Sequence, residues 1–181
     1  QAKMIEGVNA LYSSDVVSRV IGHHIEATHD YKTKEAAVPL PATFLTELGT
    51  RVSEKETGMH VRHYSDYPFR FRKDGGPKDG FEVEALIRLR QNANQPFFSF
   101  EDVDGRYSLR YAAARTMQAS CVDCHNTHPD STKRDWREGD VRGVLEIVRP
   151  LDQDIERTRA GLRGTFIWMA NDDDVRVSAH R

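Results

Sequence analysis

Cysteine is almost missing from this chain, with two residues in 181. That excludes a small disulfide-framed scaffold, which needs several pairs to replace a core. Long apolar runs are missing too: no stretch approaches the roughly 20 residues that a membrane-spanning helix requires. Neither sign of charge dominates, since 26 basic and 28 acidic side chains leave a formal net charge of −2. Such a balance gives no reason to expect nucleic acid or an anionic membrane surface as a main partner. There is also no phosphate-binding glycine loop, no Ser-His-Asp order, no paired-carboxylate motif, no internal repeat and no low-complexity tract. What remains is a chain long enough to bury an ordinary core as one domain. That domain is expected over residues 1–170, with a polar tail at 171–181.

The chain begins with Gln1, not Met, so a segment ahead of it is expected to have been removed. Near the other end, Leu162 to Ala170 is apolar but only nine residues long. It reads as the last turns of a docked helix, the start of a longer anchor, or an interfacial segment.

Between these ends the periodicities suggest an order of elements. Ser13, Ser14 or Asp15 is expected to cap a helix running to about Tyr31, with Val17, Val20, Ile21, Thr28 and Tyr31 at helical spacing. Val38-Pro39-Leu40-Pro41 breaks it, and Pro41 suits the first turn of a second helix from Ala42 to about Val52. Met59, Val61 and His63 alternate as in a strand. Asp79 is expected to cap a helix with Glu82 as capping-box partner, and Phe81, Ala85, Leu86 and Leu89 supply its buried face. Phe97 to Phe100 and Tyr107 to Ala113 flank Asp104-Gly105, a tight hairpin signal. A last strand, Val141 to Val148, precedes a closing helix from Asp152 to about Ala170. Antiparallel strands with N- and C-terminal helices give an α+β domain, and the arrangement is similar to a PAS-like sensor.

Both cysteines fall in one pentapeptide, Cys121-Val122-Asp123-Cys124-His125. C-x-x-C-H is the signature of covalent c-type haem attachment. Thiols three residues apart in a helical turn reach two vinyl groups on one porphyrin edge, and the adjacent His125 then offers an axial ligand to the iron. A redox dithiol normally opens a helix directly after a strand in a βαβ unit, whereas this motif is expected in a loop after a hairpin. Cys121, Cys124, His125 and His128 offer four ligands for zinc, but over eight residues, where structural zinc usually joins two distant half-sites. A plain disulfide is strained at this spacing.

The surrounding residues are long and specific. Ser120 to Ser131, Asp135-Trp136 and Gly139 to Glu146 resemble the haem segment of the Tll0287-like family, and Pro39 to Phe44, Tyr64 to Phe69 and Gly75 to Asp79 resemble its upstream motifs. The resemblance covers roughly residues 12 to 165. It implies a PAS-like fold carrying one c-type haem, often the periplasmic sensor part of bacterial kinases, cyclases or chemoreceptors; stand-alone members also occur. The family's distal ligand varies, so none is carried over.

That sixth ligand has to be sought position by position. His128 follows His125 by three residues and cannot pass round the ring edge; it is expected to hydrogen-bond locally, to the haem propionates or the loop backbone. Met117 is equally close to Cys121, and His180 lies in the tail. His23, His24 and His29 on the expected first helix remain, with Met59, His60 and His63 near the first strand. His24 falls inside the apolar stripe and His23 at its border, so His24, with His23 as the alternative, is the expected metal ligand; a vacant or water-filled site stays open. Arg62, Arg70, Arg72, Arg106, Arg110 and Arg115 are mostly expected at a solvated surface. Arg110 and Arg115 are the candidates for pairing with the propionates. Tyr64 and Tyr67 either bond in a distal pocket or pack a turn.

Three functions follow. The first is a haem sensor of redox state or of a diatomic gas such as NO or CO, its closing helix leading to a membrane-anchored output domain. The second is a soluble electron carrier with a redox partner. The third, a peroxidase-like enzyme, lacks a diagnostic motif and comes last. Haem attachment of this kind takes place outside the bacterial cytoplasm, so the expected compartment is periplasmic or the outer face of the membrane.

Overall fold

The computed structural model of the chain describes residues 2–21, 23–55 and 58–162. The hairpin forms where Asp104-Gly105 indicates. Both turn residues adopt positive φ, 53° and 77°, which matches the twist of the flanking strands. The strands are longer than the sequence suggests: β4 spans Phe97–Val103 and β5 Arg106–Thr116. With β3 (His60–Tyr64) and β6 (Val141–Pro150) they make one antiparallel sheet in the order β3-β6-β5-β4.

Each face of this sheet has its own helices. The helix α3 (Gly80–Gln91) sets Ala85, Leu86 and Leu89 against Tyr64, Ala112 and Val144. On the opposite face, α1 (Ala2–Leu11) and α2 (Pro41–Lys55) bring Ile5 and Leu45 onto Leu145, Ile147 and Met59. The α+β class is therefore as expected, and Pro41 does open the second helix.

The first helix differs from its expectation. It begins at Ala2, not near Ser13, and continues from α1 through a π-helical stretch, Tyr12–Val17, to a last turn, Ser18–Val20. Ser13 and Ser18 hydrogen-bond back to the carbonyls of Asn9 and Ser14, as helix-interior hydroxyls do, and cap nothing. Ile21 turns the chain to extended backbone, and His24 takes a left-handed φ of 62°. The spacing of Thr28 and Tyr31 is coincidental: Thr28 belongs to β1 (Glu26–Thr28), paired in parallel with β2 (Ala37–Pro39). A pairing with residues eleven positions away overrides local helical spacing. A closing helix, α5, starts at residue 152 and is described to 162. Its expected course to Ala170 and the tail at 171–181 lie outside the described residues.

A buried ion network holds α3 to the sheet. Asp79 caps α3 by accepting from the Glu82 amide at 2.9 Å. Glu82 completes no reciprocal box; its carboxylate accepts from the Lys78 amide and pairs with Arg62. Arg110 donates from Nε to Glu146 at 2.7 Å and from Nη1 to Asp79 at 2.8 Å, with Glu101 at 3.2 Å. Glu146 is 2% exposed. Burial pushes its carboxyl up from 4.5 to about 7, against the pull of Arg110 and with the help of Glu82.

The folded state thus holds this proton more tightly than the unfolded chain does. Glu146's contribution to stability is complete below its unfolded pKa and is lost as pH rises towards neutrality. At about 1.4 kcal/mol per tenfold change the gap amounts to about 3 kcal/mol at most. His63 and His125 titrate with the opposite sign, both held below 6.5, so the comparison must be with a variant. Urea unfolding of wild type and Glu146→Gln from about pH 5 to about 8 is expected to show the wild type losing ground steadily to the variant. A constant difference would mean that Glu146 keeps an ordinary pKa.

Candidate functional site

Only two residues separate the end of β5 from the helix α4 (Ala119–Thr127), so the cysteine motif lies on a helix and not in a loop. Cys121 and Cys124 are three apart and His125 is four from Cys121, which sets all three on one helix face. That face forms one wall of a cavity of about 420 Å³, within the range of small-molecule and cofactor pockets. Ser13, Val17, Ser18 and Ile21 of the N-terminal helical segment form a second wall, and Leu40, Pro41 and Ala42 extend it. His63, Tyr64, Ser65 and Arg142 close the sheet side. Tyr67, Pro68, Phe69, Arg72 and Trp136 also line it, as do Ile25, Glu26 and Ala27.

Hydrogen bonds fix the loops around α4. The Asn126 side chain donates to the Trp136 carbonyl at 3.0 Å and accepts from its amide at 2.9 Å. The Arg70 amide donates to Asp130 O at 3.0 Å, and Thr132 Oγ1 to Pro68 O at 3.0 Å. His125 is thereby held between Phe69, at 5.0 Å between ring centroids, and Trp136, at 6.4 Å and nearly perpendicular. Burial, helped by Arg142 and His128, lowers its pKa to about 4. Its imidazole is neutral at physiological pH, which is the form that ligates a metal.

Two competing chemistries lose support here. A redox dithiol normally belongs to a βαβ unit, whereas the strands around this motif are antiparallel. Zinc needs converging ligands, and no group of three or more His, Cys, Asp or Glu gathers as a metal site among the described residues. Two thiols and a neutral imidazole on the wall of an apolar cavity do fit a covalently held porphyrin.

Several expected residues lie elsewhere. His23 and His24 are exposed and line no part of the cavity, because the helix that was to carry them ends at Val20. His29 stacks on Phe71 at 3.9 Å, and Met59 and Met117 are in the interior away from the cavity wall. Arg110 does not reach the cavity; its guanidinium is taken by Glu146, Asp79 and Glu101 on the opposite sheet face. Arg115 is on the cavity side of the sheet, paired across from Gly143. His128 does line the cavity: it stacks on Phe69 at 4.8 Å and its Nδ1 accepts from the Asp130 amide at 3.1 Å, the local loop bond expected of it.

Arg142 and Arg72 carry no expectation as site residues in the sequence, yet both line the cavity. Arg142 arrives there through a β-bulge. Arg115 pairs with Gly143 and Thr116 with Val141, leaving Arg142 as the extra residue. A bulge has no strong signature in strand alternation, which is why Arg142 reads as an ordinary strand position.

In comparison with known proteins, a family model described as Tll0287-like (Tll0287) matches residues 11–150. No curated protein and no solved structure matches the chain.

Proposed function

Because the chain belongs to the Tll0287-like family, we propose that it is a haem-binding sensor domain that holds one haem c covalently and responds to redox state or to a diatomic gas such as NO or CO. Cys121 and Cys124 would hold the porphyrin as thioethers and His125 would supply one axial nitrogen. When bound, such a group supplies an iron redox couple and a coordination position for a small ligand. The rest is done by the chain: Asn126 and Trp136 fix α4, Phe69 and Trp136 orient the His125 ring, and the apolar lining excludes water.

One observation carries the sensor reading over the electron carrier. Among the described residues the cavity wall offers His125 beside the thiols, and the two other histidines that line it are His63 and His128. His128 is bonded through Nδ1, and the buried Nε2 of His63 lies against Gly143 on β6. A carrier is best served by tight ligation on both sides, a gas sensor by a replaceable sixth ligand.

The wall also indicates where a response would travel. The N-terminal helical segment lines the cavity, whereas none of residues 152–162 does, so the closing helix is the poorer conductor. Tyr12–Val17 is π-helical, a rare form often found at functional sites. An output partner, membrane-anchored or otherwise, would then read the N-terminal helix. Haem is attached to such a motif outside the bacterial cytoplasm, so on this reading the domain would lie on the outer side of the cytoplasmic membrane; no described helix is long and apolar enough to cross one.

Absorption spectra of the haem-loaded protein test this. The reduced protein is expected to shift its main haem band on addition of carbon monoxide and the nitric oxide complex to form in turn. Bands that ignore both gases in both oxidation states would hand the protein to electron transfer. A protein without haem bands would end the reading altogether.

A further inference from the structure

Three buried polar atoms on the cavity side of the sheet have no hydrogen-bond partner: His63 Nε2, Arg115 Nε and Arg142 Nε. They meet around one residue. A Cβ on Gly143 would lie 3.2 Å from His63 Nε2, and only 2.6 Å from the Tyr64 carbonyl oxygen. Arg115 pairs directly across from Gly143, and Arg142 is the bulged residue next to it. Strands β3, β5 and β6 thus each contribute one orphaned atom around a position where no side chain would fit.

The charges around this point do not cancel. Neither Arg115 nor Arg142 has an ion pair among the described residues. With its Nδ2 on the Pro41 carbonyl at 2.8 Å, Asn9 presents its Oδ1 to Arg115 Nη2 at 2.6 Å, a neutral acceptor. Arg72, close enough to lower the His63 pKa, donates to Thr43 and Thr46 among the described residues. Glu6 acts on Arg115 from beyond ion-pair range. Burial and mutual repulsion hold Arg115 down at about 10 and His63 well below its usual value, so the imidazole is neutral and carries one N–H to donate. Two half-buried guanidinium groups without an ion pair leave their charge uncompensated. An oxygen anion would give all three atoms an acceptor at once.

We propose that His63, Arg115 and Arg142 form an oxyanion site over Gly143, built to take a carboxylate. The reading of the cavity as a haem site supplies its occupant, a haem propionate; a small free oxyanion such as phosphate has the same chemistry. Arg142 and His63 line the very cavity that Cys121, Cys124 and His125 line, so a carboxylate carried in with the guest reaches them without a separate entrance.

The test uses haem-loaded wild type, Arg142→Gln, Arg142→Lys and His63→Gln. Reduction potentials and the infrared band of ¹³C-labelled propionates are measured, along with melting temperature in phosphate against chloride at matched ionic strength. If a propionate fills the site, Arg142→Gln lowers the potential and shifts the carboxylate band, Arg142→Lys restores part of the potential, and wild type ignores phosphate. If a free oxyanion fills it, phosphate raises the wild-type melting temperature saturably and leaves Arg142→Gln unmoved. His63→Gln repeats either pattern should Arg142→Gln fold poorly. Unchanged bands and potentials together with no phosphate response would overturn the site. A chain that takes up no haem refutes the haem reading alone, because the phosphate titration still decides the oxyanion site.

Discussion

Replacing Cys121 and Cys124 together by alanine is expected to abolish covalent haem. The intact mass of denatured wild type should exceed that of the bare chain by one haem, and the double variant should match the bare chain. Both thiols are free, and both lie on the face of α4 that walls the cavity. No other cysteine exists to replace them. Single replacements leave one thioether and should retain a fraction of the haem in covalent form. His125→Ala keeps both thioethers while changing the axial ligation, so it should preserve the mass and alter the spectrum. Haem retained by the denatured double variant would show that attachment does not run through these thiols.

The largest loss of stability should come from Arg110→Leu, on the opposite side of the sheet. Arg110 is 11% exposed at its side chain and bridges Glu146, Asp79 and Glu101. Removing it leaves Glu146 buried, beside Glu82, without its cation. Breaking a buried pair from one side typically costs about 3–5 kcal/mol. The penalty is that of a buried carboxyl left without its cation and driven to take up a proton, not the net worth of the pair. Arg110→Leu combined with Glu146→Leu should therefore recover much of the loss, a non-additivity that a double-mutant cycle in denaturant measures directly. Equal and additive losses would mean that the pair is dispensable.

How far these features could be read from sequence depends on the range of the interaction that decides each one. The hairpin at Asp104-Gly105 and the α3 face of Ala85, Leu86 and Leu89 are local signals, and the fold follows them. The thiol and imidazole face of α4 is equally local, because i, i+3 and i+4 suffice. The first helix failed for a non-local reason: Thr28 continues a helical spacing but pairs with Pro39 on another strand. His23 and His24 fall outside the cavity for the same reason, since the helix that would carry them there ends at Val20. Arg110 failed because its partners Asp79, Glu101 and Glu146 come from three separate segments, which a basic residue near a motif does not reveal. His63 was among the strand candidates for the iron, and its surroundings point its free nitrogen to a different use.

The bulge in β6 has a consequence for how this chain can change over generations. Substituting Arg142 alters one side chain and leaves the extra residue in place. Deleting it would preserve both ladder pairs, Arg115 with Gly143 and Thr116 with Val141, and make the two partners follow each other in plain alternation. A cation would leave the cavity while every pairing of the sheet stayed as it was. Part of the charge lining this cavity is therefore governed by chain length at a single position, and a relative with one cation fewer could arise by losing one codon rather than by altering one.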